Sequence, residues 1–422
     1  VKRAADLIIE DIDELVTVDP AEGDREEGDL GVIRSGAIAC GGGEILAVGP
    51  TLALSESYRL TTGGIRMRGQ GRVVLPGFVD PHTHVVFAGS REHEFELRIC
   101  GSTYQEIAAT GGGIRSTVKA VRETSAEDLF KAGLRRLDRM LALGTTTAEA
   151  KSGYGLSRDS EIKMLEVIGK LNDEHPVDLI PTFLGAHEVP EEYAHHKEEY
   201  IDQLIEEMIP EVAERSLAEF CDVFCEEAVY SREESERILV AAAQKGLKPK
   251  IHADEFTNQR GAELAVEVGA VSADHLLAIS VQGLNALRES RVIPVLLPGT
   301  SFSLGLDSYA PAREMLQWGL KVALGTDLNP GSSMTESMPM IMTLACVMLR
   351  MTPAEAIVGA TLNAARAVDR SESVGSLSPG KKADFILLEA PSFRYLPYHY
   401  GVNLVDRVVK NGRLVVDRGT RV

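Results

Sequence analysis

Between residues 73 and 370, strand-like apolar segments alternate with amphipathic ones, and that alternation restricts the chain to very few folds. The strand candidates are VVLPGFVDPHTH, GTTTAEAKS, VDLIPTFLGAH, CDVFCEEAV, LKPKIHADE, AVSADHL, VIPVLLPG and KVALGTDLN. Between them lie stretches of helical periodicity such as SAEDLFKAGLRRLDRMLAL, DSEIKMLEVIGKLNDE and SREESERILVAAAQK. Eight strands, each followed by a helical pattern over about 300 residues, fit an α/β fold of the (β/α)8 TIM-barrel type better than an open sheet.

The two ends read differently. DLIIEDIDELVTV, GAIACGGGEILAVG and IRMRGQGRVVLPG are apolar or alternating runs broken by glycine. Near the C-terminus, KKADFILLEA and VDRVVKNGRLVV repeat that style, with Asn411-Gly412 as a hairpin signal. One small composite β-sandwich domain built from residues 1–72 plus 371–422 is predicted, around a barrel domain spanning 73–370. The acidic stretch Glu22 to Asp29 reads as a loop.

Composition narrows the function. With 44% hydrophobic and 25% charged residues among 422, global disorder is excluded. A net charge of −19 argues against nucleic acid or anionic membrane surfaces as partners. The longest apolar run, Ile341 to Leu349, falls far short of the roughly 20 residues that span a bilayer. The opening VKRAADLIIEDIDEL lacks an apolar signal core, so a cytoplasmic location is expected. Cys221 and Cys225 have no second cysteine pair to complete a zinc site, and the five cysteines read as reduced thiols.

The chemistry is signalled by how the strand candidates end. Seven of the eight finish in ionisable residues: Asp80-Pro-His82-Thr-His84, Glu149-Ala-Lys151, His187-Glu188, Glu226-Glu227, His252-Ala-Asp254-Glu255, Asp274-His275 and Asp327-Leu-Asn329. A packed core strand has no reason to end this way, whereas the C-terminal strand ends of a (β/α)8 barrel form its active-site face. His82 and His84 sit two apart, which on a strand puts both imidazoles on one face about 7 Å apart along the chain. With His252 and Asp327 they make three imidazoles and one carboxylate, a set suited to one divalent ion, Zn2+ or Fe2+. Glu255, three residues past His252, can be aimed at the same water and carry a proton. His275 can polarise a carbonyl, and Asp254 reads as a surface residue.

Together these residues resemble the amidohydrolase superfamily. The likeness covers nearly the whole chain: VVLPGFVDPHTH, His252 and His275 at strand ends, Gly325-Thr326-Asp327, then GSLSPGKKADFILLE and VKNGRLV. Within that superfamily, FAGSREHEFELRICGSTYQEIAATGGGIRSTV, EAKSGYGL, TFLGAHEVP, IHADEFTNQRGAELAVEVGAVSADHL and GTDLNPGSS are similar to one subgroup. Its members hydrolyse the lactam C–N bond of 4-imidazolone-5-propanoate in histidine degradation. The resemblance makes His82, His84, His252 and Asp327 the metal ligands, with Glu255, His275 and Asp327 catalytic. It makes Arg91, Tyr154, His187, Glu255, Asn329, Gly331 and Ser332 contacts of a small-molecule substrate, and it implies a homodimer.

Arg91 offers a bidentate fork for a propionate tail, and Tyr104 and Tyr154 add hydroxyls. The run Gly111-Gly112-Gly113 before a helix reads as an active-site loop. The two-metal members of the superfamily bridge their ions with a carboxylated lysine on the fourth strand. CDVFCEEAV has no lysine, which favours one ion. Lys151, at the end of the second strand, is left as a polar wall of the site. Which carboxylate is the first base stays open, as does which of His187 and His275 meets the carbonyl. Two other functions are compatible with the pattern: a ring deaminase of the same superfamily, which has no use for Arg91, and a non-catalytic scaffold, which has no use for three metal-binding imidazoles.

Overall fold

The computed structural model describes residues 2–19, 30–101 and 112–422. The expected loop from Glu22 to Asp29, Tyr104 and Gly111 lie outside the described residues. The barrel is built from parallel strands at Phe78–Asp80, Thr145–Lys151, Asp178–Ala186, Phe220–Cys225, Ile251–Ala253, Ser272–His275, Ile293–Leu296 and Ala323–Leu324, paired in chain order. Lys248–Pro249 adds a short parallel segment that pairs with Phe220–Cys225 just before the fifth of these strands. The last seam closes beyond the first and eighth strands. There Thr83 and Leu328 form a parallel bridge, Asp327 N donates to His82 O at 3.0 Å, and His84 N donates to Leu328 O at 2.9 Å.

The connecting helices follow from their own sequences. In Ala126–Ala142 the Ser125 side chain accepts from Asp128 N, and Leu129, Phe130, Leu137, Met140 and Leu141 form the buried stripe. Arg232–Gln244 starts with a reciprocal capping box between Ser231 and Glu234. On the barrel strands the interior changes character from N- to C-terminal end. Val79, Ile180, Phe220, Ile293, Val295 and Ala323 form an apolar layer, closed by Ala364, Ala365, Ala367 and Val368. Beyond it the interior carries the buried charges Glu149, Lys151, Asp222, Lys250 and Asp274, each with 0% exposure.

Among the described residues, the chain ends form a separate nine-stranded mixed sheet. Its strand Arg3–Val16 pairs antiparallel with Val32–Gly41 and parallel with Tyr58–Arg68 and Val73–Pro76. Phe385–Leu388 pairs antiparallel with Val73–Pro76 and with Val405–Lys410, so the C-terminal strands extend the N-terminal sheet. Strand periodicity divides its side chains. Val73, Leu75, Ile386, Leu388 and Val408 pack with the large barrel core. Val74, Phe385, Leu387 and Val409 pack with Leu7, Ile9, Ile12 and Ile38 inside the terminal domain. Asn411 and Gly412 both take positive φ, 48° and 72°, in the hairpin turn before Arg413–Asp417.

The segment VVLPGFVDPHTH, read as one barrel strand, is two strands in two sheets. Val73–Pro76 belongs to the terminal sheet and only Phe78–Asp80 enters the barrel. Gly77 is the pivot: its N–H donates to Asp384 O at 3.0 Å, and a Cβ there would overlap the Thr146 side chain. Gly77→Val is therefore expected to lower unfolding free energy by about 1–3 kcal/mol, the usual cost of overpacking. Urea titration of both proteins checks this, and equal midpoints and slopes would show that Thr146 yields without cost.

Candidate active site

Barrel closure brings the first and eighth strand ends together, and with them His82, His84 and Asp327. Asp327 Oδ1 lies 3.5 Å from His82 Nε2 and 3.6 Å from His84 Nε2. The His252 ring centroid is 4.5 Å from that of His82 and 5.9 Å from that of His84. Two further imidazoles border this set. His275 lies 5.2 Å from His252, centroid to centroid, and His187 stacks on His84 at 5.0 Å. Ligand atoms of His82, His84 and Asp327 come within 4.8 Å of one another, as do those of His84, His187 and His252, and those of His82, His252 and His275.

The donor set fits a metal ion. His82 Nε2 is buried and has no hydrogen-bond partner among the described residues. Its other nitrogen, Nδ1, is 2.6 Å from Asp274 Oδ2, which directs Nε2 into the site. His252 Nδ1 is 3.0 Å from Asp222 Oδ2. Such carboxylate–imidazole pairs are the usual outer partners of metal-ligating histidines. Burial, reinforced by Lys151 and the neighbouring imidazoles, holds His82 well below the ordinary imidazole range. Burial does the same to His84 and His275, so these rings are neutral at pH 7 with lone pairs available. Burial also pushes Asp327 up to about 6, while its Oδ2 accepts from Thr300 Oγ1 at 2.6 Å.

Beneath the imidazoles runs a layer of buried ions. Lys151 Nζ is 2.6 Å from Asp222 Oδ2, 2.9 Å from Glu149 Oε2 and 3.8 Å from Asp274 Oδ2. Burial opposes its charge, but those three carboxylates outweigh the effect and raise the ammonium above its ordinary range. Lys250 Nζ is 2.9 Å from the same Glu149 oxygen and donates to Pro81 O at 3.0 Å, one residue before His82. Lys151 is thus part of the floor under the imidazoles. Asp222 and Lys250 were not singled out from the sequence. Their signal was charge inside otherwise apolar strands, CDVFC and LKPKI.

The loop after the fifth strand positions Glu255. Asp254, expected at the surface, is instead buried with a positive φ of 50°. Its carboxylate accepts from Gln259 N, Gly261 N and Ala262 N at 3.0–3.2 Å, holding the start of the next helix. Glu226 accepts from Phe256 N at 3.0 Å and fixes the other side of the loop. Glu255 Oε1 ends 3.5 Å from His275 Nδ1. Burial, then the charges of Asp327 and Glu226, raise its carboxyl well above the usual range. His275 itself has φ of 78°.

The remaining candidates surround this centre. Tyr154 lies 5.5 Å from His84 and 5.3 Å from His187 between ring centroids. His187 Nδ1 is 3.0 Å from Gly153 O, and burial pushes its pKa down to about 3. Asn329, Gly331 and Ser332 share one turn after Asp327. The Asn329 amide is occupied within that turn: Oδ1 accepts from Gly331 N and Ser332 N at 2.8 Å, and Nδ2 donates to Asp327 O at 2.7 Å. Arg91 bonds Glu94 Oε2 through Nε at 2.9 Å and Nη2 at 2.8 Å. Its guanidinium lies against Gly331, where a Cβ would overlap it. Glu94 also accepts from Gly113 N at 3.0 Å, tying Gly113 to Arg91.

A metal ion added to chelator-stripped protein is expected to raise its melting temperature, by about 2.7 kcal/mol of stability at a free concentration 100 times Kd. His82→Ala is expected to remove that rise. Thermal scans with and without Zn2+ check it, and an unchanged rise in the variant would place the ion elsewhere.

Comparison with known proteins agrees with this geometry. The family model described as "Amidohydrolase family" matches residues 73–415. The chain is 49% identical over 417 residues to the imidazolonepropionase of Alkaliphilus metalliredigens (strain QYMF), covering 98% of this chain and 99% of that protein. It is 51% identical over 393 residues to the imidazolonepropionase of Geobacillus kaustophilus (strain HTA426), covering 93% and 92%. Among solved structures, a zinc-bound adenosine deaminase from Xanthomonas campestris superposes with a TM-score of 0.75 at 18% identity, covering 100% of this chain and 95% of that one. E. coli guanine deaminase gives 0.67 at 16% identity, covering 97% and 99%. At those identities the likeness is one of fold. The sequence relatives, close to half identical from end to end, go further: the chain belongs to the amidohydrolase family, among its imidazolonepropionases.

Proposed function

We propose that this chain hydrolyses the lactam C–N bond of 4-imidazolone-5-propanoate, giving N-formimidoyl-L-glutamate. The carrying observation is the gathering of His82, His84 and Asp327, with His252 beside the two histidines, next to Arg91 at the turn that follows Asp327. One divalent ion, Zn2+ or Fe2+, would supply an acidified water and a Lewis acid for the carbonyl. On this reading no second ion is needed, because Lys151 already supplies a cation to the carboxylates below.

The residues divide the remaining work. Arg91, held along one edge by Glu94, presents its outer edge to the propionate carboxylate. His187 uses Nδ1 on a main-chain carbonyl, which leaves Nε2 as an acceptor for the ring N–H of the substrate. His275, bordering the cluster with Nδ1 unbonded among the described residues, is the imidazole we assign to the lactam oxygen. Asp327 is engaged by Thr300, whereas Glu255 Oε1 lies 3.5 Å from His275 Nδ1 and accepts no hydrogen bond among the described residues. Glu255 is therefore the group that takes the water's proton and delivers it to the departing nitrogen. Tyr154 closes one wall, and the Asn329–Ser332 turn shapes the other around the ring. The acidic surface favours an anion bound locally by Arg91 over any polyanionic partner, and we read the working form as a cytoplasmic homodimer.

No helix among the described residues is long and apolar enough to cross a membrane. The direct test follows the ultraviolet absorbance of freshly made imidazolonepropanoate, with and without chelator, and identifies the product. Chelator-sensitive loss with formimidoyl-glutamate formed is expected; no loss in metal-replete protein would favour a ring deaminase. Glu255→Gln is expected to abolish turnover while metal content stays at the wild-type level, and an active Gln variant would remove the proton-carrier role. Arg91→Met is expected to raise KM about 10–100-fold with kcat little changed, since charged hydrogen bonds contribute about 1.5–3 kcal/mol. Steady-state kinetics decide it, and an unchanged KM would leave Arg91 as a structural partner of Glu94.

A further inference from the structure

We propose that Lys151 is a positioning residue for the metal site: one ammonium, through Asp222 and Asp274, fixes the orientation of both His252 and His82. This rests on the metal assignment above, but its test does not involve the substrate.

The geometry converges on a single atom. Lys151 Nζ lies 2.6 Å from Asp222 Oδ2, the oxygen that is 3.0 Å from His252 Nδ1. The other oxygen of Asp222 accepts from His252 N at 3.2 Å, so the aspartate grips that residue by ring and main chain together. Nζ is also 3.8 Å from Asp274 Oδ2, the oxygen 2.6 Å from His82 Nδ1. Ser272 Oγ donates to the other Asp274 oxygen at 2.6 Å. Every group in this chain is at least 97% buried. Water cannot substitute for the ammonium there, and an uncompensated pair of carboxylates would turn to other partners.

The arrangement sets both rings at once. His82 Nδ1 is hydrogen-bonded to Asp274 and His252 Nδ1 lies against Asp222, so each ring has its Nδ1 edge on a carboxylate and Nε2 is left for the ion. Glu149 completes the neutralisation, shared between Lys151 and Lys250 at 2.9 Å each. Lys151 touches neither ligand itself, and it acts only through the aspartates.

The test uses Lys151→Met and Co2+ as probe, with affinity read by chelator competition and geometry by the visible absorption of the bound ion. Co2+ affinity is expected to fall about 10–100-fold, the range for losing outer partners of metal ligands, and the absorption bands to change. Wild-type affinity and an unchanged spectrum, with only a lower melting temperature, would overturn the proposal and leave Lys151 as a structural charge. If Lys151→Met does not fold, the double variant K151M/D222N removes one buried charge of each sign. Affinity is expected to remain low there, because Asp274 still lacks its cation and position 222 no longer offers a carboxylate. Recovery of wild-type affinity and spectrum in the double variant would overturn the proposal.

Discussion

The parallel contact that closes the barrel, between the residues just past the first and eighth strands, is the constraint on which the site depends. Asp327 N–H on His82 O and His84 N–H on Leu328 O hold the two ends of the barrel sheet in one register. Only in that register do His82, His84 and Asp327 meet, although the second histidine and the aspartate are 243 positions apart in the chain. Asp80 reinforces the seam by accepting from Thr326 N at 3.0 Å and Thr326 Oγ1 at 2.6 Å. Three backbone positions at the site take a sparsely populated conformation. Asp327, His275 and Asp254 all have positive φ, which non-glycine residues adopt when surrounding structure holds them there.

The barrel interior shows what the site costs. A TIM barrel is ordinarily filled by layers of branched apolar side chains. Here one layer is apolar and the next holds two lysines and three carboxylates with no solvent access. A buried ion pair contributes little net stability against an apolar replacement, yet breaking one costs about 3–5 kcal/mol. That asymmetry makes the layer intolerant of single changes and gives the imidazoles above it a rigid base. The terminal sheet contributes from outside, packing Val73, Leu75, Ile386 and Leu388 against the barrel core and delivering the chain through Gly77 into the first barrel strand.

Much of this was legible in the sequence because strand ends have a distinctive chemistry. His82, His84, His252 and Asp327 stood out as ionisable residues where apolar strands stop; in the structure Asp327 lies 3.5–3.6 Å from His82 and His84, and the His252 ring lies beside both. The eight strands and the helices between them followed from hydrophobic period. What was not legible depends on depth and direction. Asp254 and Glu255 are adjacent acids in one loop; only the fold turns the first inward onto backbone amides and the second toward His275. Lys151 read as a wall because its position within the barrel, below the imidazoles, cannot be had from spacing. Asn329 has the composition of a substrate contact, but its amide is used by its own turn. The division of VVLPGFVDPHTH between two sheets was hidden because both halves are equally apolar.

On the proposed reading, the barrel seam and the charged layer below it hold one divalent ion at His82, His84, His252 and Asp327. Anomalous diffraction from crystals of Zn2+-loaded protein tests it most directly. One peak is predicted, about 2.0–2.2 Å from three imidazole nitrogens and an Asp327 oxygen. Two peaks bridged by other carboxylates, or a single peak away from these four residues, would contradict it.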